Sequence, residues 1–141
     1  MSAILHASCV AIGGRGVLLA GPSGAGKSDL ALRLIDRGAV LVGDDGIVAE
    51  AREGRLIARP APNIEGQMEV RGIGILAFPS LAEAPLALVI ALDQPVPRMP
   101  EELLPVRVIE GLTLPMIALD PFEASAPVKV EKALMLYGLS A

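Results

Sequence analysis

The sequence is poor in aromatic residues, and its charge is not basic. Phe78, Phe122 and Tyr137 are its three aromatic side chains, and the formal net charge is -4. Proteins that bind nucleic acids need basic surface, and those that bind single strands also stack bases on aromatic rings. We therefore predict no nucleic-acid partner, and we expect a core of aliphatic side chains and methionine.

Cysteine and long apolar runs are also scarce. Cys9 is the single cysteine, which excludes an intrachain disulfide and a cysteine metal cluster. Its apolar neighbours predict a buried thiol. The longest apolar run, residues 85–92, is too short to span a bilayer, and the N-terminus lacks the pattern of a signal peptide. The prediction is a cytoplasmic protein without a membrane partner.

Apolar residues, in contrast, make up 52% of the chain. This content is enough to bury a core, and we predict a single domain over residues 1–141. The apolar patterns predict strands at 10–12, 16–20, 40–42, 47–50, 55–58, 73–77, 86–92, 106–109 and 114–119. They predict helices at 28–37, ended by Gly38, and at 128–137. Prolines predict loops at 59–68, with a short helix at most, and at 95–105.

The order of these elements indicates the fold class. A strand, a glycine-rich loop, a helix and a second strand are followed mainly by strands. This order predicts an α/β fold whose sheet mixes parallel and antiparallel strands, with one helix after the loop and one at the C-terminus.

The glycine-rich loop matches the Walker A pattern G-x-x-x-x-G-K-[ST] in full. Its residues are Gly21, Pro22, Ser23, Gly24, Ala25, Gly26, Lys27 and Ser28. The glycines let backbone N–H groups converge on phosphate oxygens, and the following helix adds its positive N-terminus. Lys27 is predicted to reach the β- and γ-phosphates, and the Ser28 hydroxyl to ligate Mg²⁺. The loop therefore predicts a site for a nucleoside triphosphate with magnesium.

Two adjacent carboxylates, Asp44 and Asp45, end the strand that follows this helix. In a parallel arrangement this strand end lies at the same sheet edge as the phosphates. A carboxylate there can hold Mg²⁺ or accept a proton from a nucleophile, and the two side chains need not point the same way. The alternative is a solvated turn, because Gly-Asp-Asp-Gly is a common turn composition.

Four further side chains are candidates for chemistry. Glu69 and Arg71 are two residues apart, so on a strand they share a face and can bind metal and phosphate; the alternative is a surface ion pair. His6, the only histidine, is either catalytic or part of the packing or surface. Arg98, in a proline-rich loop, can reach a transferring phosphoryl group or be simply solvated.

Taken together, these residues resemble the C-terminal catalytic domain of HPr kinase/phosphorylase, which phosphorylates a serine of the phosphocarrier HPr. His6 lies fifteen residues before Gly21, and the phosphate loop follows. The segments LVGDD at 41–45 and EVRGIGI at 69–75 complete the match, the latter resembling the family signature. The resemblance is strongest over residues 6–77.

The resemblance implies a P-loop kinase-like fold and an ATP-dependent serine kinase of the phosphotransferase system. By resemblance the catalytic residues are His6, Lys27, Asp44, Asp45, Arg71 and Arg98, and the metal ligands are Ser28 and Glu69. Asp45 is then the general base, and His6 supports it. The family is typically hexameric, which implies a homo-oligomer.

Two departures from the family pattern bear on function. The family's N-terminal domain has no counterpart in these residues, which implies a short form. A glycine-arginine-asparagine segment tied to dephosphorylation is replaced by LDPFEASAP at 119–127, a change that affects phosphorylase more than kinase activity. Two alternatives stay open: a P-loop kinase for a small metabolite, and a nucleotide-dependent regulatory module without transfer activity.

Overall fold

The computed structural model describes residues 2–140, which contain eleven strands and two helices. The strands are β1 (Ser2–Leu5), β2 (Ala7–Ile12), β3 (Arg15–Ala20), β4 (Val40–Gly43), β5 (Ile47–Arg52), β6 (Arg55–Pro60), β7 (Gln67–Val70), β8 (Gly74–Ala77), β9 (Ala84–Ala91), β10 (Val106–Ile109) and β11 (Leu112–Ala118). The helices are α1 (Lys27–Asp36) and α2 (Ala126–Tyr137).

Nine of these strands form one mixed sheet in the order β1-β5-β6-β9-β3-β2-β4, with β10 and β11 attached beside β9. Strand β9 is parallel to β3 and to β11, while the other pairs in this sheet are antiparallel. The remaining strands, β7 and β8, form a separate antiparallel hairpin. The predicted α/β class and mixed sheet are confirmed.

The strand directions bring the phosphate loop and the two aspartates to one edge of the sheet. Strand β2 lies between β3 and β4 and is antiparallel to both. Consequently β3 and β4 run in the same direction, and their carboxyl ends point to the same edge. The parallel strand β9 ends there as well, since the Leu92 N–H donates to the carbonyl of Ala20 over 2.9 Å.

Both faces of the central strands are buried, which matches their nearly continuous apolar sequences. On β3, Val17 and Leu19 face a cluster that also contains residues of α1 and α2. Leu18 and Ala20 face a second cluster, shared with β5 and β6. No aromatic side chain is among the buried members of either cluster in the described chain. The expected aliphatic core is therefore what the fold contains.

The predicted helices and strands are present, with shifts of a few residues at their ends. Gly38 ends α1 with a φ of 108°, and its N–H donates to the carbonyl of Ile35. The loop predicted at 59–68 is present but shorter, at 61–66, because β6 continues to Pro60 and β7 begins at Gln67; no helix lies between them. Strand β1 was missed because its existence depends on pairing with β5.

No helix among residues 2–140 combines the length and apolar character needed to cross a lipid bilayer.

The packing of α2 predicts a difference between two leucines on that helix. Leu134 is 2% exposed and belongs to the core, whereas Leu136 is 66% exposed. We expect Leu134→Ala to lower the free energy of unfolding by about 2–5 kcal/mol, because it removes buried methyl groups and leaves a cavity. The matched Leu136→Ala variant should change it by about 0.5 kcal/mol or less. Urea denaturation measures both, and equal losses would contradict the position of α2.

The position of Cys9 predicts a chemically inert thiol. Cys9 is fully buried in the second cluster, and burial raises the pKa of its thiol from 9.0 to about 12. Because the thiolate is the reactive form, we expect iodoacetamide to modify the native protein at pH 8 only as fast as the protein unfolds. Mass spectrometry measures this rate, and the protein in concentrated urea is the control. Rapid modification of the native protein would contradict the burial of Cys9 on β2.

Candidate active site

A loop of six residues, 21–26, connects β3 to α1 and has the shape of an anion-binding loop. Gly24 and Gly26 have φ angles of 83° and 98°, which are strained for other residues. Gly26 is also closely packed, since a Cβ there would lie 3.2 Å from Cγ of Pro121. It is the N-cap of α1, and no side chain caps that helix end. The first N–H groups of α1 are therefore available to an anion.

Lys27 is folded over this loop. Its side chain is 6% exposed, and Nζ donates a hydrogen bond of 2.6 Å to the carbonyl oxygen of Gly21. The same Nζ lies 3.9 Å from Oδ1 of Asp45. The ammonium group thus stands between the phosphate loop and the end of β4, where it can bind a polyanion lying on the loop.

Asp44 is buried and joined to two hydroxyl groups. It is 8% exposed. Its Oδ1 accepts a hydrogen bond of 2.7 Å from the Ser28 hydroxyl on α1 and one of 2.9 Å from the Ser8 hydroxyl on β2. These bonds satisfy a carboxylate that would otherwise be costly to bury. They also tie the end of β4 to the first turn of α1.

Asp45 is exposed to solvent although the adjacent Asp44 is buried. Its side chain is 59% exposed. Its backbone has a φ of 53°, a left-handed conformation that Asp and Asn adopt more readily than most residues. Its N–H donates to the Ser8 hydroxyl over 3.2 Å. The two aspartates therefore offer different environments, one buried and hydrogen-bonded and the other open to solvent.

The Ser28 and Asp44 pair fits a magnesium ion that is shared with phosphate. Because the Ser28 hydroxyl donates a hydrogen bond to Asp44, the lone pairs of the Ser28 oxygen stay available to a cation. Residues 2–140 contain no group of three or more His, Cys, Asp or Glu side chains placed to hold a metal by themselves. Mg²⁺ is usually held by one or two protein groups together with phosphates and water. The donor set matches that mode of binding.

Glu69 and Arg71 lie on the hairpin of β7 and β8. Met68 is buried in the cluster of α1, so the neighbouring Glu69 is on the opposite, exposed face of β7. Arg71 is exposed in the turn that follows. Among the described residues neither side chain has a hydrogen bond or an ion pair, so the alternative of a surface ion pair between them is not formed. Their roles at the metal and the phosphate stay predictions.

His6 and Arg98 are both exposed. His6 precedes Ala7, which pairs with Ala20, so it lies beside the carboxyl end of β3 and the start of the phosphate loop. Arg98 lies in the predicted proline-rich loop and lines a cavity of about 420 Å³ at the carboxyl ends of β9 and β11. The structure places both at the functional edge of the sheet, and their catalytic roles stay predictions.

Two parts of this site were missed by the sequence analysis. Ser8 is one hydroxyl in an apolar strand, and no motif marks it. The segment after β11 supports the phosphate loop: Arg33 of α1 donates to the carbonyl oxygens of Pro121 and Glu123. Pro121 is also the residue that closes over Gly26. These contacts join residues far apart in the chain, so local spacing carries no signal for them.

Comparisons with known proteins point to one family. Residues 1–84 match the family model described as HPr Serine kinase C-terminal domain. The HPr kinase/phosphorylase of Clostridium tetani is 47% identical over 77 residues, which cover 55% of this chain and 25% of that protein. The corresponding protein of Clostridium acetobutylicum is 40% identical over 97 residues, covering 64% and 32%. The matched segment thus spans about a quarter to a third of these relatives.

A solved structure extends the similarity over nearly the whole chain. The HPr(Ser) kinase/phosphatase from Coxiella burnetii superposes with a TM-score of 0.77 at 29% identity, covering 94% of each chain. The similarity of fold therefore continues through β9, β11 and α2, beyond the residues that match the family model.

Proposed function

The chain belongs to the family of HPr serine kinase C-terminal domains, and from this premise we propose that it is an ATP-dependent kinase for a serine of HPr. Residues 1–141 act in this proposal as a single P-loop kinase domain. The observation that carries it is the position of the Lys27 ammonium, bonded to the loop and 3.9 Å from the Asp45 carboxylate. A phosphate-binding group and a proton acceptor are then adjacent.

ATP is bound in this proposal by residues 21–28. The backbone N–H groups of the loop and of the first turn of α1 surround the β- and γ-phosphates. Lys27 turns from the Gly21 carbonyl to these phosphates. It neutralises charge that develops on the transferring group and on the departing ADP.

Ser28 and Glu69 would hold Mg²⁺, with Asp44 as the acceptor that orients the Ser28 hydroxyl. When bound, the ion neutralises charge on the phosphate oxygens. Support for Ser28 comes from its hydrogen bond to Asp44, which leaves the hydroxyl lone pairs free. The assignment of Glu69 as a metal ligand rests on the resemblance to the family signature.

Asp45 is the general base. It accepts the proton of the serine hydroxyl while the serine oxygen bonds to the γ-phosphorus and the bond to the β,γ-bridging oxygen breaks, releasing ADP. Its exposure supports this role, because a protein substrate must reach the carboxylate from solvent. Arg98 and Arg71 are assigned to phosphoryl oxygens, and His6 supports the proton transfer.

The proposed partner is the phosphocarrier HPr, and the proposed location is the cytoplasm, where ATP is available. The proposal also includes a homo-oligomer, a hexamer by the family resemblance. Ile73 and Ile75 on the hairpin of β7 and β8 are 73% and 71% exposed. Such apolar exposure is typical of surfaces that contact another protein, and it supports assembly.

The test of the proposed function is transfer of phosphate from ATP to HPr, with the phosphorylated residue identified by mass spectrometry. We expect Asp45→Asn to lower kcat by about 10²–10⁴-fold, because the general base is lost. The affinity for Mg-ATP should remain, and Asn tolerates the left-handed backbone.

Glu53→Gln is the matched control, since Glu53 is also an acidic residue of positive φ but lies in the turn between β5 and β6. It should transfer phosphate at the wild-type rate. Nucleotide binding without any transfer to HPr by the wild-type protein would reject the proposal. Transfer to small metabolites instead would identify a different kinase.

The loop geometry predicts that Gly26→Ala abolishes Mg-ATP binding. The new Cβ meets Pro121 and Phe122 at 3.2 and 3.3 Å, and the backbone φ of 98° is strained for alanine. Gly111→Ala is the control, because its φ is 76° but a Cβ there meets no atom within 4 Å. Calorimetry should detect ATP binding for Gly111→Ala alone. Equal binding by both variants would show that the loop does not hold the nucleotide.

A further inference from the structure

We propose that Ser8 is a positioning residue that holds Asp45 in place as the proton acceptor. This inference rests on the proposed kinase function. Ser8 is on β2, outside the phosphate loop and the aspartate pair, and its side chain is completely buried. It does not contact solvent, so it acts through the residues to which it is bonded.

The Ser8 hydroxyl uses both of its hydrogen-bonding capacities at the end of β4. It donates to Oδ1 of Asp44 over 2.9 Å and accepts the N–H of Asp45 over 3.2 Å. A hydroxyl is the smallest side-chain group that can do both at once. One buried oxygen thus connects the carboxylate of one aspartate to the backbone of the next.

Asp45 depends on this bond more than Asp44 does. Asp44 is also held by Ser28. The Asp45 N–H, in contrast, has no acceptor other than Ser8 within residues 2–140, and the backbone φ of 53° is an uncommon conformation that the surroundings must maintain. Loss of the Ser8 hydroxyl therefore leaves Asp44 attached and releases Asp45.

The strand that carries Ser8 is itself firmly placed. Ser8 pairs with Leu19 of β3, the strand that leads into the phosphate loop, and neighbouring Cys9 pairs with Gly43 of β4. Through Ser8, the position of Asp45 is therefore tied to β3, the strand that positions the phosphate loop. The distance between the base and the transferred group is fixed through β2 and not through the exposed Asp45 side chain.

The first experiment compares two substitutions at Ser8 with opposite properties. Ser8→Cys keeps the shape, with a slightly larger atom, but replaces the hydroxyl with a weak hydrogen-bonding thiol, whereas Ser8→Thr keeps the hydroxyl and adds a methyl group. We expect Ser8→Cys to lower kcat by about 10- to 100-fold, the range for a misplaced catalytic group. Its KM for ATP should stay near that of the wild type, and Ser8→Thr should retain most of the activity.

The opposite order, an active Ser8→Cys and an inactive Ser8→Thr, would mean that Ser8 only fills space, and it would overturn the proposal. Cys9→Ala is the control for general damage to β2. It removes a buried thiol from the opposite face of the same strand, and it should lower stability without lowering kcat. A loss of kcat in Cys9→Ala equal to that in Ser8→Cys would likewise overturn the proposal.

A second experiment tests whether Ser8 acts through Asp45. In the Asp45→Asn background, Ser8→Cys should cause little further loss of kcat, because the base that it positions is already absent. If Ser8→Cys lowered kcat in this background as much as it does in the wild type, Ser8 would have another role and the inference would be rejected.

A third measurement does not depend on kinase activity. Hydrogen exchange at the Asp45 amide should be at least about 10-fold faster in Ser8→Cys than in the wild type, because the amide loses its acceptor. If the wild-type protein transfers no phosphate but this amide is protected by Ser8, the proposed function fails while the structural link stands. An unchanged exchange rate would refute the link itself.

Discussion

The carboxylate of Asp44 is the constraint on which the rest of the site depends. It is buried, and a buried charge is stable only when its oxygens are hydrogen-bonded. The hydroxyls of Ser8 on β2 and Ser28 on α1 both donate to its Oδ1. The end of β4, helix α1 and strand β2 must therefore keep one mutual arrangement. Asp45 and Lys27 acquire their positions from that arrangement.

The later part of the chain supports the site through the fold. The family model matches residues 1–84, whereas the similarity to the Coxiella burnetii structure covers 94% of the chain. The later residues supply β9 and β11, which extend the parallel part of the sheet, and α2, which covers α1 and β9. Many aliphatic sequences can fill such positions. The fold persists there although the sequence resemblance has weakened, and the segment near Pro121 still supports the loop from outside.

Prediction from sequence succeeded where a segment carries its own signal. The buried strand β9, the amphipathic α1 and the paired strands β5 and β6 all have patterns within a few residues. Strands β1 and β7 were missed because each is defined by pairing with a partner, β5 in one case and β8 in the other. Met68 is buried at the core although it lies at the end of a segment that reads as a proline-rich loop.

The sequence by itself determined the phosphate loop, the helix that follows it and the acidic end of β4, since each is a local pattern with a direct physical meaning. Only the tertiary structure decided that Asp44 is buried and Asp45 exposed, that the ammonium of Lys27 stands between loop and carboxylate, and that Ser8 belongs to the site. The reason is distance along the chain. Ser8 meets Asp44 and Asp45 across separations of 36 and 37 residues, and such contacts exist only once antiparallel β2 has been placed between β3 and β4.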